Sequence, residues 1–230
     1  MVSASIKSSE IRFGECNKKL LEEVIFYGIS LGADFVELFI ENSDNSNVLA
    51  EEDFITNVSP SFSKGAGIRI FKDKRDGFVS TNDLSKHGLM RSISQAIEML
   101  DISKKTNKLI FNGLEKLKDY SKSKINWLNE VPTINEVSEK LLLSTKSLKK
   151  DKKVVVRKGS YARNWQEVII ASSDGTYATD IRLHQTVGLN IIANDAQYRS
   201  NGSRRFGSHG IPNEFRLWDH EKAANEVYES

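Results

Sequence analysis

A change of hydrophobic period at a single glycine sets the limits on this fold. From Asn17 to Leu31, apolar residues fall at Leu20, Leu21, Val24, Ile25 and Leu31, with Gly28 on the same stripe. That is the spacing of one buried helical face. Gly32 then ends the helix as a C′ residue, the position where glycine's left-handed conformation is most often needed. From Phe35 to Glu41 the period becomes two: Val36, Leu38 and Ile40 share one face, and Glu37 and Glu41 point the other way. A half-buried strand directly after an amphipathic helix calls for a sheet with one covered face.

The next segments extend that sheet. Asn47 to Ala50 and Phe54 to Ser59 flank Glu51-Glu52-Asp53 and read as a hairpin ending at Pro60. After a loop at Ser61-Phe62-Ser63-Lys64, Gly65-Ala66-Gly67-Ile68-Arg69-Ile70-Phe71 reads as a strand that turns at Asp76-Gly77 into Phe78-Val79-Ser80-Thr81. Leu89, Ile93, Ala96, Ile97 and Leu100 repeat at helical spacing and predict a second amphipathic helix from Ser85 to Leu100. Residues 1–105 therefore predict a two-layer α/β module in the order helix, four strands, helix.

Residues 106–130 read as a connecting region rich in Lys, Asn and Ser. At Thr133-Ile134-Asn135-Glu136 the spacing is that of a capping box, which opens a helix burying Ile134, Val137, Leu141 and Leu148. Val154 to Val156, Val168 to Ile170, Ile181 to Leu183 and Val187 to Ile192 are β-rich, with turns expected at Asp174-Gly175 and Asn194-Asp195. Residues 131–218 thus predict a helix followed by an antiparallel β-meander, and the fold class is α+β. From Asp219 to Ser230, Ala223, Ala224, Val227 and Tyr228 lie on one helical face behind an Asp219 N-cap. A helix this short is marginal until it packs, so the sequence reading takes residues 219–230 as the start of a truncated helix whose partner surface lies outside the chain.

Composition narrows the class of function. The 230 residues fit one large or two modest domains, and 33 basic against 31 acidic side chains leave a net charge of +2, so bulk charge dictates no polyanionic partner. Hydrophobic residues make up 39%, and no apolar run approaches the roughly 18 residues of a membrane span, which predicts a soluble chain with no membrane partner. Cys16 is the single cysteine, and the polar opening Met1-Val2-Ser3-Ala4-Ser5 has no secretory h-region. The cytoplasm is the expected compartment.

Three stretches in order carry a family likeness: Gly32-Ala33-Asp34-Phe35-Val36-Glu37-Leu38; Gly65 to Ile70 leading to Gly77-Phe78-Val79-Ser80-Thr81-Asn82-Asp83-Leu84; and Ala171-Ser172-Ser173-Asp174-Gly175. Together they resemble the TldD/PmbA family across essentially the whole chain. The family, once described as modulators of DNA gyrase, is regarded as zinc metallopeptidases acting on flexible peptides. The resemblance implies zinc-assisted peptide hydrolysis, with a His-Glu-x-x-x-His helix in a carboxy-terminal domain. Histidines one turn apart can share one ion, and the Glu can deprotonate the bound water. This sequence has no such pair, so the resemblance implies a non-catalytic amino-terminal part, inactive alone and with no cofactor of its own. Its implied partners are a peptide substrate and a homo- or heterodimer with a TldD/PmbA-type subunit.

Individual residues have plainer roles beside any chemical one. His87, His184, His209 and His220 stand at no spacing that gathers ligands on one helix face or one strand, so no metal site and no catalytic residue is assigned. His220-Glu221 begins like the family's metal motif, but Ala224 and Asn225 stand where a second His would be needed. Cys16 reads as an incidental thiol. Gly65 and Gly67 enter a strand instead of opening a helix, which argues against a phosphate loop and for close backbone approach. Ser80, Thr81, Asn82 and Asp83 either cap the next turn or, for Ser80, Thr81 and Asn82 with Arg69, line a cleft for an extended peptide. Two basic runs, Lys146, Lys149, Lys150, Lys152, Lys153, Arg157 and Lys158, and Arg199, Arg204 and Arg205 with Tyr198 and Phe206, read as solvated surface, so nucleic acid is disfavoured. The alternative function is a non-enzymatic binding module: a peptide scaffold or a regulator of a nucleic-acid enzyme such as DNA gyrase.

Overall fold

The computed structural model describes residues 13, 16–100, 111–116, 131–149, 151–195, 197–210 and 213–230. The described elements are α1 (Lys18–Ser30), β1 (Phe35–Glu51), β2 (Phe54–Lys72), β3 (Arg75–Thr81), α2 (Lys86–Met99) and β4 (Glu115–Lys116), then α3 (Ile134–Ser147), β5 (Val154–Ser172), β6 (Thr176–Asp195), β7 (Tyr198–His209), α4 (Glu214–Leu217) and α5 (His220–Tyr228). The fold is α+β. The sheet runs β3-β2-β1-β5-β6-β4, and β7 pairs with β6.

Two compact units divide the chain. The first comprises Met1–Ser43, Ser63–Lys122 and Glu167–Ile181, and the second Asp44–Phe62, Ser123–Gln166 and Arg182–Ser230. In the first, α1 starts at Asn17, whose side chain accepts from the Leu20 N–H, and ends at Leu31, followed by Gly32 at φ +102°. The φ value accounts for the glycine. Helix α2 starts at Ser85, whose hydroxyl accepts from the Gly88 N–H. Leu21, Val24 and Ile25 of α1 and Leu89, Ile93 and Ala96 of α2 join Val36, Leu38, Ile40, Ile68 and Ile70 in one apolar cluster. The periodicities predicted these faces.

Strand number and turn placement differ from the sequence reading. The two β-prone segments before Glu51 form one strand, and so do the two on either side of Ser61–Lys64, so the five segments named between Phe35 and Thr81 make three strands, against the four-strand module expected. Strand β2 runs through Pro60, outside the Ala66–Lys72 segment that pairs with β3, and proline's missing N–H is tolerated along a sheet edge. The β2–β3 turn is Asp73-Lys74, at φ +49° and +67°, while Asp76 and Gly77 lie within β3. Gly77 serves packing: a Cβ there would stand 3.0 Å from the Ala96 carbonyl oxygen of α2. Part of the expected connecting region lies outside the described residues, but Leu114 is buried and β4 pairs in parallel with Thr176 and Tyr177.

In the second unit both halves of the capping box at α3 form. The Thr133 hydroxyl accepts from the Glu136 N–H at 3.3 Å, and the Glu136 carboxylate accepts from the Thr133 N–H at 2.7 Å. The four predicted β-rich segments merge into two strands, the first two into β5 and the last two into β6, and β7, which the sequence reading did not name, completes the meander; Gly175 takes φ +100° in the β5–β6 turn. The β6–β7 pairing extends to Asp195↔Tyr198, so Asn194-Asp195 is strand, not turn.

The last helix overturns the expectation that its partner surface lies outside the chain. Asp219 caps α5 through the Glu221 and Lys222 N–H groups, both at 3.0 Å. Ala223, Ala224 and Val227 are buried with Leu148, Leu189 and Ile191, and the Tyr228 hydroxyl donates to the Leu148 carbonyl. The apolar stripe of α5 is covered by α3 and the β6–β7 hairpin.

Candidate functional site

The predicted cleft residues lie on the β2–β3 hairpin of the first unit. Register places Arg69 opposite Phe78, Gly67 opposite Ser80 and Ala66 opposite Thr81. Directly opposed residues share a face and successive residues alternate, so Arg69, Phe78 and Ser80 share one side and Thr81 takes the other. The chain is brought close here by Gly67, where a Cβ would meet the Phe78 ring at 3.1 Å. Arg69 is held by Asp76 through Nε at 3.2 Å and Nη2 at 3.1 Å, and its guanidinium lies 4.5 Å from the Phe71 ring centroid. Phe78 is exposed beside it.

Thr81 and its neighbours serve the turn into α2. The Thr81 hydroxyl accepts from the Asp83 N–H, and Asp83 accepts from the Ser85 N–H, each at 3.1 Å. A side-chain hydrogen bond with Ser85 comes first, and that backbone bond second, among the causes that hold the Asp83 carboxyl below its ordinary range. Asn82 packs its Oδ1 against Gly65. The cap of α2 itself is Ser85. Strand β3 ends the sheet order, and among the described residues no strand pairs with its outer edge, leaving backbone donors and acceptors available to an added strand.

The other candidates separate clearly. Burial pushes the Cys16 thiol up to about 12, so it is protonated at neutral pH and a poor nucleophile. Arg157, part of the first basic run, is buried: it donates to Glu52 at 2.8 Å, to Asp53 at 3.4 Å and to the Thr145 carbonyl at 3.0 Å. It is therefore no part of a solvated surface. Lys158, Arg204 and Arg205 instead line a cavity of about 600 Å³ in the second unit with Ser160, Asn190 and Ser203.

The described residues offer no donor set that matches the zinc site implied by the resemblance. Among the described residues no three His, Cys, Asp or Glu side chains stand close enough to hold an ion, and Ala224, at the i+4 position from His220, is buried. One feature escaped the sequence reading: His184 and His209, 25 positions apart, are directly paired across β6 and β7, with Nδ1 atoms 3.2 Å apart. Only the hairpin register reveals it. No described helix is long and apolar enough to cross a membrane.

The α+β fold, with its helix-bounded three-stranded module and its meander, agrees with two family models. Residues 36–100 match PmbA/TldA metallopeptidase domain 1, and residues 127–230 match the PmbA/TldA metallopeptidase central domain. The chain belongs to the TldD/PmbA family. A metalloprotease TldD homolog of Haemophilus influenzae is 23% identical over 187 residues, 80% of this chain and 37% of that protein. One from Buchnera aphidicola is 22% identical over 185 residues, 76% of this chain and 36% of its own length. The crystal structure of TldE from Thermococcus kodakarensis superposes with a TM-score of 0.74 at 20% identity, covering 91% of this chain and 46% of that one. A Thermotoga maritima protein, titled as a candidate modulator of a DNA gyrase, gives 0.72 at 14% identity, covering 92% and 46%. The chain thus spans well under half the length of these curated relatives.

Proposed function

We propose that this chain is the amino-terminal, non-catalytic part of a TldD/PmbA-type metallopeptidase of the cytoplasm, shaping the cleft for an extended peptide and the surface for a second subunit. The observation that carries this reading is the order of the two family domains, 36–100 and then 127–230, with the free edge of β3 in the first. A flexible peptide adds to that edge through its backbone, and Arg69, Phe78 and Ser80 contact its side chains. Thr81 holds the turn that fixes the edge, and Asn82 lies beside it against Gly65. Hydrolysis is supplied by zinc ligands outside this chain, so no catalytic step is assigned to its residues. In the second unit, the exposed Phe54, Val58 and Phe62 recur every four residues along β2 and offer an apolar stripe to a homologous subunit.

The test is chelator-sensitive cleavage of a quenched fluorescent flexible peptide. The purified chain alone should show none, and a TldD/PmbA-type subunit bearing the His-Glu-x-x-x-His helix should lose activity when its paired chain carries Phe78→Ala with Ser80→Ala. Zinc-dependent cleavage by the chain alone overturns the reading. A second reading, a regulator of a nucleic-acid enzyme, draws on Lys158, Arg204 and Arg205 lining one cavity. Binding to DNA that weakens steeply between about 50 and 200 mM salt favours it, and a flat response rejects it.

A further inference from the structure

We propose that His184 and His209 form a two-ligand surface site for a borderline transition-metal ion, Zn2+, Ni2+ or Cu2+. Strand register puts the two residues directly opposite each other in β6 and β7, so their side chains leave the same face. The backbone is closed just beyond them by the Gly210 N–H donating to the Leu183 carbonyl at 2.9 Å. The pair therefore sits on a ladder whose spacing is fixed.

The distance is diagnostic. Metal–imidazole bonds of about 2.0–2.1 Å at tetrahedral angles place two ligating nitrogens about 3.3–3.4 Å apart, and a right-angled arrangement places them about 2.9 Å apart. The Nδ1 atoms of His184 and His209 are 3.2 Å apart, between those limits, with ring centroids at 4.4 Å and planes tilted by 47°. Tilted rings allow both lone pairs to converge on one point, which face-to-face stacking would prevent. Both side chains are exposed, so water completes the coordination sphere. Imidazole suits these ions and not Mg2+ or Ca2+, which take oxygen ligands. The competing arrangement is a plain N–H···N hydrogen bond between one neutral ring and the other, with no ion.

The experiment titrates the full chain with Zn2+ alone, then with Ni2+ alone, by calorimetry and by the ring-nitrogen resonances of all four histidines. One ion per chain is expected, with shifts at His184 and His209 only. Loss of even an outer partner commonly weakens metal affinity by tenfold or more, so His184→Ala or His209→Ala should weaken binding at least about tenfold. His87→Ala and His220→Ala should leave it unchanged. The resonance map of the unmodified chain decides the matter if a variant fails to fold. Equal affinity in all four variants, shifts centred on His87 or His220, or no saturable binding at millimolar ion leaves only the hydrogen-bonded pair and overturns the site.

Discussion

The two units reach stability by different means. The first gathers its buried apolar side chains, from Leu21 of α1 to Ala171 of β5, into one cluster. The second splits its apolar residues into two, one around Tyr161 and Phe215 and one around Leu148 and Ala224. It adds polar links: Tyr161 donates to Gln185 at 2.9 Å, Arg163 pairs with Asp44 at 2.7 Å, and Arg157 is tied to Glu52, Asp53 and Thr145. A continuous apolar cluster is sensitive to lost volume, and a polar one to lost partners. The contrast sets a first unit held mainly by apolar packing against a second unit that adds specific polar pairings.

The sharpest way to break the comparison is in the first unit. Leu89 is fully buried on α2, so Leu89→Ala should destabilise by about 2–5 kcal/mol, read from chemical denaturation. A cost below that range would mean the cluster collapses around the cavity and is less tightly packed than its burial indicates. In the second unit, Arg157→Ala should cost about 3 kcal/mol, the low end for breaking a buried pair, because Glu52 and Asp53 are partly exposed and water can replace their partner. Arg157→Met should recover little of this, since Glu52 still lacks its guanidinium partner and the Thr145 carbonyl keeps only the 3.2 Å bond from the Leu148 N–H. Equal stability of the methionine variant and the parent would show that packing, not pairing, holds this region.

The sequence disclosed helices better than strands for a physical reason. The stripes of α1, α2 and α3, the Thr133–Glu136 capping box and the Asp219 cap are local patterns, complete within a few residues. Strand continuity is not local. Between Ile40 and Val48, β1 is polar, yet Ser43 and Ser46 are buried there, and Asp44 and Asn45 bond to Arg163 and Asn164 of β5. Those partners lie 119 positions away, so no window of sequence shows why a polar stretch stays extended. Asp76-Gly77 misled because its glycine answers to α2 packing, while Asp73-Lys74 turns the chain without glycine. The candidate site was legible to the same degree. Phe78 and Ser80 share a face as alternation requires, but Arg69 standing beside Phe78, the Asp76 clamp on Arg69 and the His184–His209 pair depend on register. Docking of α5 was invisible because its partners, α3 and the β6–β7 hairpin, are recruited by the fold.

The smallest effect concerns charge at the start of α3. Glu136 is held down at about 2, first by the Arg216 guanidinium and then by the Thr133 N–H and hydroxyl. A carboxylate whose folded pKa lies below its unfolded value, here ordinarily 4.5, stabilises the fold above that unfolded value. That contribution fades as pH falls from about 4.5 toward about 2. Glu136→Gln removes the titration while keeping the shape, so the gap in melting temperature between parent and variant should be widest near pH 6 and narrow by pH 3. Thr133→Ala removes the other half of the box and should cost about 1 kcal/mol. Comparing parent with variant cancels the remaining carboxylates, including Asp219 and Asp174, which are also held low by their hydrogen bonds. A gap that stays constant from pH 6 to pH 3 would mean that Arg216 and Thr133 do not hold the Glu136 charge, and that the second unit depends on polar pairing less than its geometry implies.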